Sequence, residues 1–249
     1  MKLFTSLLEK FDPFIRVNEA IQKGSLPAMV VGLSAVHKAN LAAAVHEKYG
    51  SCLVVTADEL AARRFCEDIN AMLQSETALL YPAKDFVFRS IEGVSHEYEQ
   101  QRLSVLSRVM RGECGIVCCS IDALLQYTIP PAELESRTVT LKPGQQIELT
   151  ALIRMLVRAG YVRRDQVDGP AQFSARGGIV DLFPPDLSYP VRIELWGDEI
   201  DTISAFELDS QRRVDTVKEA RITPAYEVLA ESPEALAEII EKQIGRAHV

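Results

Sequence analysis

A chain of 249 residues has room for one large or two ordinary domains. Hydrophobic residues at 47% and charged residues at 25% lie close to the average of soluble globular domains, which excludes disorder, collagen and coiled coil as the main state. A net charge of −8 argues against a general polyanion binder while leaving room for a local basic patch, and no stretch nears the ~18 apolar residues of a membrane span.

The opening, MKLFTSLLEKFDPFIR, is amphipathic and lacks the apolar run of a signal peptide. Ala28 to Gly32 (AMVVG) reads as a short strand. Val36 to Tyr49 has helical composition and stops at Gly50. Cys52 to Thr56 (CLVVT) reads as a second, buried strand. Asp58 is placed to cap a helix running to about Leu73. Ala78 to Tyr81 is a strand closed by Pro82. Glu97 to Met110 is a helix with Leu103, Leu106 and Met110 on one face, and Gly115 to Ser120 is another buried strand. Repeated strand–helix units predict a mostly parallel, helix-covered sheet.

The pattern changes in the second half. Thr138 to Leu141 reads as a strand, and Thr150 is placed to cap a helix from Ala151 to Ala159. Segments Tyr161–Val167, Gly178–Phe183, Val191–Trp196 and Ile200–Phe206 then alternate with period two between Gly-Pro, Pro-Pro and Gly-Asp turn signals. The prediction is an α/β chain in three parts. Residues 1–122 form a parallel sheet domain, 123–215 a small β-rich α+β domain, and 216–249 the start of a continuation. Ser232 to Ile244 is predicted helical. The closing GRAHV is read as a cut within a longer polypeptide.

Few residues offer chemistry. The five cysteines are odd in number and form no CxxC pair, so reduced core thiols are expected. The four histidines have no metal-ligand spacing, and no metal site is predicted. After the first strand, Gly32-Leu33-Ser34-Ala35-Val36-His37-Lys38-Ala39 keeps two of four defining P-loop positions, Gly32 and Lys38. His37 replaces the second Gly and Ala39 the magnesium-binding hydroxyl, so no working ATPase site or bound cofactor is expected. An ordinary strand–helix turn would carry the same residues.

Charge is unevenly placed. Residues 151–180 hold five Arg and two acids, a net of +3; residues 181–215 hold three Arg and nine acids, a net of −6. This predicts either one basic face or two solvated faces that partly neutralise each other. The densest stretch is GYVRRDQVDGPAQFSARGGIVDLFP, Gly160 to Pro184. Its Tyr161, Arg163 and Asp165 share a predicted strand face, and Arg176 precedes Gly177-Gly178 at a tight turn. Arginines held near turns suit bidentate recognition of carboxylate or phosphate. The alternative pairs them with Asp165, Asp168 or downstream acids.

That stretch, with YPVRIELWGDEIDTISAFELDSQR after it, resembles the UvrB-homology region of the transcription-repair coupling factor family. The resemblance extends to YPAKD at Tyr81–Asp85, QRLSVL at Gln101–Leu106 and ITPAYE at Ile222–Glu227, and covers about residues 25–230. ARGGIVDLFP together with DEID-x-I-x-x-F-x-x-DSQR is a specific pair. UvrB itself is the nearest alternative, but it has an intact P-loop and a long DNA-clamping hairpin. Here the loop is GLSAVHKA, and only FVFRSIEGVSH lies between Asp85 and Glu97.

The resemblance implies a degenerate P-loop-like first domain and a second domain that binds UvrA. The UvrA-contacting segments of UvrB, Y-x-R-N-D and F-R-V-R-G, fall on Tyr161–Asp165 and Phe173–Gly177. Arg163 and Arg176 match, Ser174 replaces the middle arginine, and Phe183 is a further apolar candidate. The implied function is UvrA recruitment in nucleotide excision repair in the bacterial cytoplasm, without catalysis by this piece. ATP, magnesium, RNA polymerase and DNA would be handled by domains absent here, and a C-terminal domain of the full protein would mask the UvrA surface. Competing readings are a nucleotide-binding enzyme using the Lys38 loop and a DNA-binding module using the arginines.

Overall fold

The structure is a computed structural model and describes residues 10–84 and 97–227. The opening nonapeptide, the 86–96 loop, the helix predicted over 232–244 and the closing GRAHV lie outside the described residues. The chain forms two compact units, Met1–Asp85 with Arg108–Gln126, and Phe86–Ser107 with Tyr127–Val249.

In the first unit, helices α1 (Asp12–Gln22), α2 (Ala35–Tyr49) and α3 (Glu59–Leu73) accompany strands β1 (Cys52–Thr56), β2 (Ala78–Tyr81) and β3 (Ile116–Ser120). The strands form a wholly parallel sheet in the order β1-β3-β2. Helices α2 and α3 turn Ala39, Ala43, Ala62, Cys66 and Ile69 into a core with Ala78, Leu80, Ile116 and Cys118. Small residues on α2 let its backbone approach the sheet. Asp58 caps α3 as predicted, its carboxylate accepting the Ala61 amide at 2.7 Å. Helix α2 ends at Gly50, whose φ of 92° suits a residue without Cβ.

Two strand expectations fail here. Residues 28–32 form no strand, and Met29 and Val31 are exposed. Their apolar, β-branched run has the composition of a strand but gains no ladder partner, and β propensity without a partner fixes nothing. Strand β1 is accordingly an edge strand rather than a buried one. Cys52 and Val54 face the core while Leu53 and Val55 are exposed.

Helix α4 (Glu97–Met110) follows, with its end from Arg108 onward in the first unit. Its buried residues are Arg102, Leu103, Val105 and Ser107; Leu106 and Met110 are only partly covered, so the inner face is rotated from the predicted one. Two short helices, α5 (Ile121–Leu125) and α6 (Pro131–Arg137), precede β4 (Val139–Leu141) and α7 (Leu149–Arg158). Helix α7 starts two residues earlier than expected, with Glu148 rather than Thr150 at its N-cap.

The second unit holds a six-stranded sheet in the order β10-β9-β8-β7-β6-β5, and β4 pairs with β11 in a separate ribbon. The strands are β5 (Val162–Arg163), β6 (Gln172–Arg176), β7 (Ile179–Leu182), β8 (Val191–Trp196), β9 (Glu199–Phe206), β10 (Arg213–Thr216) and β11 (Ala220–Ile222). All neighbours in the six are antiparallel except β5 and β6. Leu152 and Leu156 of α7 pack with Phe173, Val180, Leu182, Val191, Ile193 and Ile203, while Arg154 and Arg158 on the same helix stay in water. Fully burying each such side chain stabilises by about 1.5–3 kcal/mol. The intervening residues Ser174, Asp181 and Arg192 occupy the opposite face of the sheet, as period two requires.

The strand predicted over Tyr161–Val167 shrinks to two residues. Its ladder ends because the Asp165 carbonyl is taken by side chains of β6, and the chain then loops through Ala171, which has a φ of 59°. Strand β6 itself, hidden behind the Gly-Pro turn signal, was not predicted.

Candidate functional site

The site is built at the β5 edge of the six-stranded sheet. Tyr161 is buried just ahead of β5, and its hydroxyl donates to the Thr223 carbonyl at 2.9 Å. Thr223 Oγ1 in turn donates to Asp186 at 3.0 Å, and Ser107 Oγ reaches the other oxygen of that carboxylate at 2.8 Å. Burial and the neighbouring Asp186 charge push the Tyr161 pKa well above its ordinary value. This buried network fixes where β5 begins.

Two amides carry the parallel ladder: Val162 donates to the Ala171 carbonyl at 2.9 Å and Arg164 to the Phe173 carbonyl at 2.8 Å. Beyond it, Ser174 Oγ donates to the Asp165 carbonyl at 3.0 Å, and Arg176 Nη2 donates to the same oxygen. Ser174, standing where the resembled motif has an arginine, is 4% exposed. Its hydroxyl pins the loop.

Arg163, Arg164 and Arg176 are exposed, and among the described residues none of the three pairs with a carboxylate. Two of the acids downstream are matched elsewhere. Arg192 makes a bidentate pair with Asp181 at 2.6 and 2.9 Å, which raises the Arg192 pKa. Arg213 pairs with Glu194 at 2.9 Å. Of the two charge readings, internal neutralisation therefore describes Arg192 and Arg213, and the basic edge describes the other three.

Arg163 and Arg176 share this corner of the sheet but not one face of it. Arg163 is in register with Phe173, whereas Arg176 alternates with Ser174 on the other side. A partner reaching both must wrap the edge. Arg164, by the same alternation, falls on the Arg176 side, and the sequence reading had not singled it out. Phe183 is 8% exposed and packs with Val167 and Phe206, so it supports the 164–171 loop from within.

The Gly32, His37, Lys38 and Ala39 set lies in the first unit. Among the described residues no strand precedes it, and Lys38 is already in the first turn of α2. Ser34 caps that helix, its oxygen accepting the His37 amide, and the His37 ring also meets Ser34 Oγ at 2.9 Å. Ala39 is wholly buried in the α2–α3 core. Among the described residues no group of His, Cys, Asp and Glu is placed to hold a metal ion, and no helix is long and apolar enough to cross a membrane.

Residues 139–227, the span that contains the arginines, match the UvrB interaction domain family. The likeness then extends over nearly the whole chain. It is similar to the transcription-repair-coupling factor of Bacillus subtilis (strain 168), 32% identical over 239 residues, covering 95% of this chain and 20% of that protein. Against the transcription-repair-coupling factor of Staphylococcus aureus (strain USA300) it is 29% identical over 233 residues, covering 92% of this chain and 19% of that protein. The chain thus spans about one fifth of the length of these relatives. The resemblance read from the sequence motifs is borne out.

Proposed function

We propose that this chain is the UvrA-recruiting module of a transcription-repair coupling factor. It acts through protein contact, with no catalysis and no cofactor of its own. The observation that carries the reading is the set of exposed arginines, Arg163, Arg164 and Arg176, which among the described residues have no carboxylate partners, on one edge of the UvrB interaction domain match. An anchored guanidinium loses little entropy on docking, and a facing carboxylate completes a charge-assisted bidentate bond. The acidic chain as a whole, at −8, disfavours nucleic acid as the occupant.

In this reading residues 1–122 are a degenerate P-loop-like domain of UvrB type, 123–215 the UvrA-binding domain and 216–249 the start of a continuation. ATP hydrolysis with magnesium, translocation on DNA and contact with RNA polymerase belong to the rest of a full-length bacterial cytoplasmic factor. There a C-terminal domain would cover the arginine edge until UvrA is needed. Calorimetric titration of the chain with UvrA from the same organism tests the proposal. A saturable complex that weakens as salt rises is expected; no binding at low salt overturns it.

A further inference from the structure

The outer face of the six-stranded sheet carries a second feature beside the arginine edge. Trp196, the single tryptophan of the chain, is 85% exposed at the end of β8. Large aromatic side chains bury most of their surface in folded proteins, so an exposed one on a rigid strand calls for a covering surface.

Register places it. Arg176 pairs with Ile179, and Ile179 pairs with Glu194. Trp196 follows Glu194 by two residues and faces the same side, beyond a bulge that leaves Leu195 opposite Ile200 in the core. The Gly177-Gly178 turn between β6 and β7 abuts this end of β8. Leu195 donates its amide to the Gly178 carbonyl at 2.7 Å, and a Cβ on Gly178 would come within 2.8 Å of the Leu195 carbonyl oxygen. The turn that follows Arg176 is thereby held against the backbone that carries Trp196. Ile179, itself 41% exposed, bridges the two.

We infer that Trp196 and Ile179 form the apolar part of the same docking surface whose cationic part is Arg176, and that the occupant is UvrA. This rests on the recruiting role proposed above. Charge supports one shared occupant. Glu194 is neutralised by Arg213, so the face between Arg176 and Trp196 presents a cation and apolar surface but no free acid. Past Trp196 the hairpin turns acidic at Asp198, Glu199 and Asp201. The partner surface must therefore offer a carboxylate for Arg176 beside an apolar cleft for the indole, and no acid beyond the cleft. That polarity fixes the direction of docking. Trp and Arg at the centre of a patch are also the residue types that dominate binding energy at protein interfaces.

The test uses the whole chain with 5-fluorotryptophan incorporated, which gives one fluorine resonance from Trp196. Adding UvrA should shift or broaden that signal, and Trp196→Ala should weaken UvrA binding at least tenfold with the thermal midpoint unchanged. Ile179→Ser should weaken it by a smaller factor. If Trp196→Ala binds like the parent and the resonance is unmoved while Arg176→Ala loses affinity, the docking surface ends at the arginines and the inference fails alone. If the parent chain itself does not bind UvrA, the recruiting role fails and the inference with it.

Discussion

Arg102 and Glu227, 125 positions apart, meet as a fully buried ion pair at 2.6 Å. The guanidinium also donates to the Tyr127 carbonyl at 2.9 Å, and Glu99 accepts the Glu227 amide at 2.9 Å. The pair ties the first turns of α4 to the segment after β11. Such a pair adds little against an apolar replacement, because two charges must leave water, but removing one partner strands the other. Arg102→Met should therefore destabilise the chain by about 3–5 kcal/mol in urea unfolding, and the double variant with Glu227→Leu should recover part of that loss. A single variant as stable as the parent would show that the pair does not form.

The Lys38 segment should not bind nucleotide. A phosphate loop needs free backbone amides and a hydroxyl for magnesium. Here Ser34 occupies the His37 amide, and position 39 faces the α2–α3 core. Millimolar ATP with magnesium should leave the thermal midpoint unchanged, since only a ligand of the native state raises it. Restoring the motif residue with Ala39→Thr should give no binding and should lower stability by overpacking, about 1–3 kcal/mol. A midpoint that rises with ATP in the parent and is insensitive in Lys38→Ala would overturn this.

Strands with both an apolar pattern and a partner were legible in the sequence: β2, β3, β8 and most of β9 fall where alternation and turn residues put them. The 28–32 run failed because pattern reports propensity, not pairing. The stretch from 161 misled for a related reason. Its alternation continues to Val167, but Ser174 and Arg176 capture the Asp165 carbonyl from a strand ten residues on, which no local pattern encodes. The arginine edge was legible because motif and charge imbalance coincide there. Trp196 closes β8, and period two alone sets it on the outer face with Arg192 and Glu194, since the bulge adds its extra residue, Asp201, to β9. Arg102 was missed because a cation on a helix reads as solvated.

Stability should decline in alkali, with Tyr161 as one cause. Its folded pKa lies above the unfolded value of about 10, so below that pH both states hold the proton and stability is complete. As pH climbs past it the unfolded chain ionises first, and stability falls until the folded pKa is passed. Burial pushes the Cys114 thiol upward, and a hydrogen bond with Cys66 followed by burial does the same to Cys118, with the same sign and beginning nearer pH 8.5. Tyr161→Phe should cost about 1–3 kcal/mol at pH 7, because the Thr223 carbonyl loses its donor. It should also flatten the decline above pH 10. An unchanged slope in urea melts at pH 9–11 would remove Tyr161 as a cause.

Arg163→Ala and Arg176→Ala should each weaken UvrA binding at least tenfold, through different routes. Arg163 makes no ion pair among the described residues, so its truncation should act on the complex alone, and exposed charges contribute only about 0–1 kcal/mol to folding. Arg176 also holds the Asp165 carbonyl, so its loss loosens the loop after β5 as well as removing a cation. Truncating one partner of a buried interfacial charge pair costs about 2–5 kcal/mol, and the lower end corresponds to about thirtyfold in affinity. Arg176→Lys separates the two roles. A lysine keeps the charge but cannot present a planar fork, so it should recover less than half of the lost binding energy if bidentate recognition matters. Arg108→Ala, which breaks an exposed pair with Glu76 in the other unit, is the control and should bind UvrA like the parent. Equal binding by the parent, Arg163→Ala and Arg176→Ala in calorimetry would move the UvrA surface off this edge altogether.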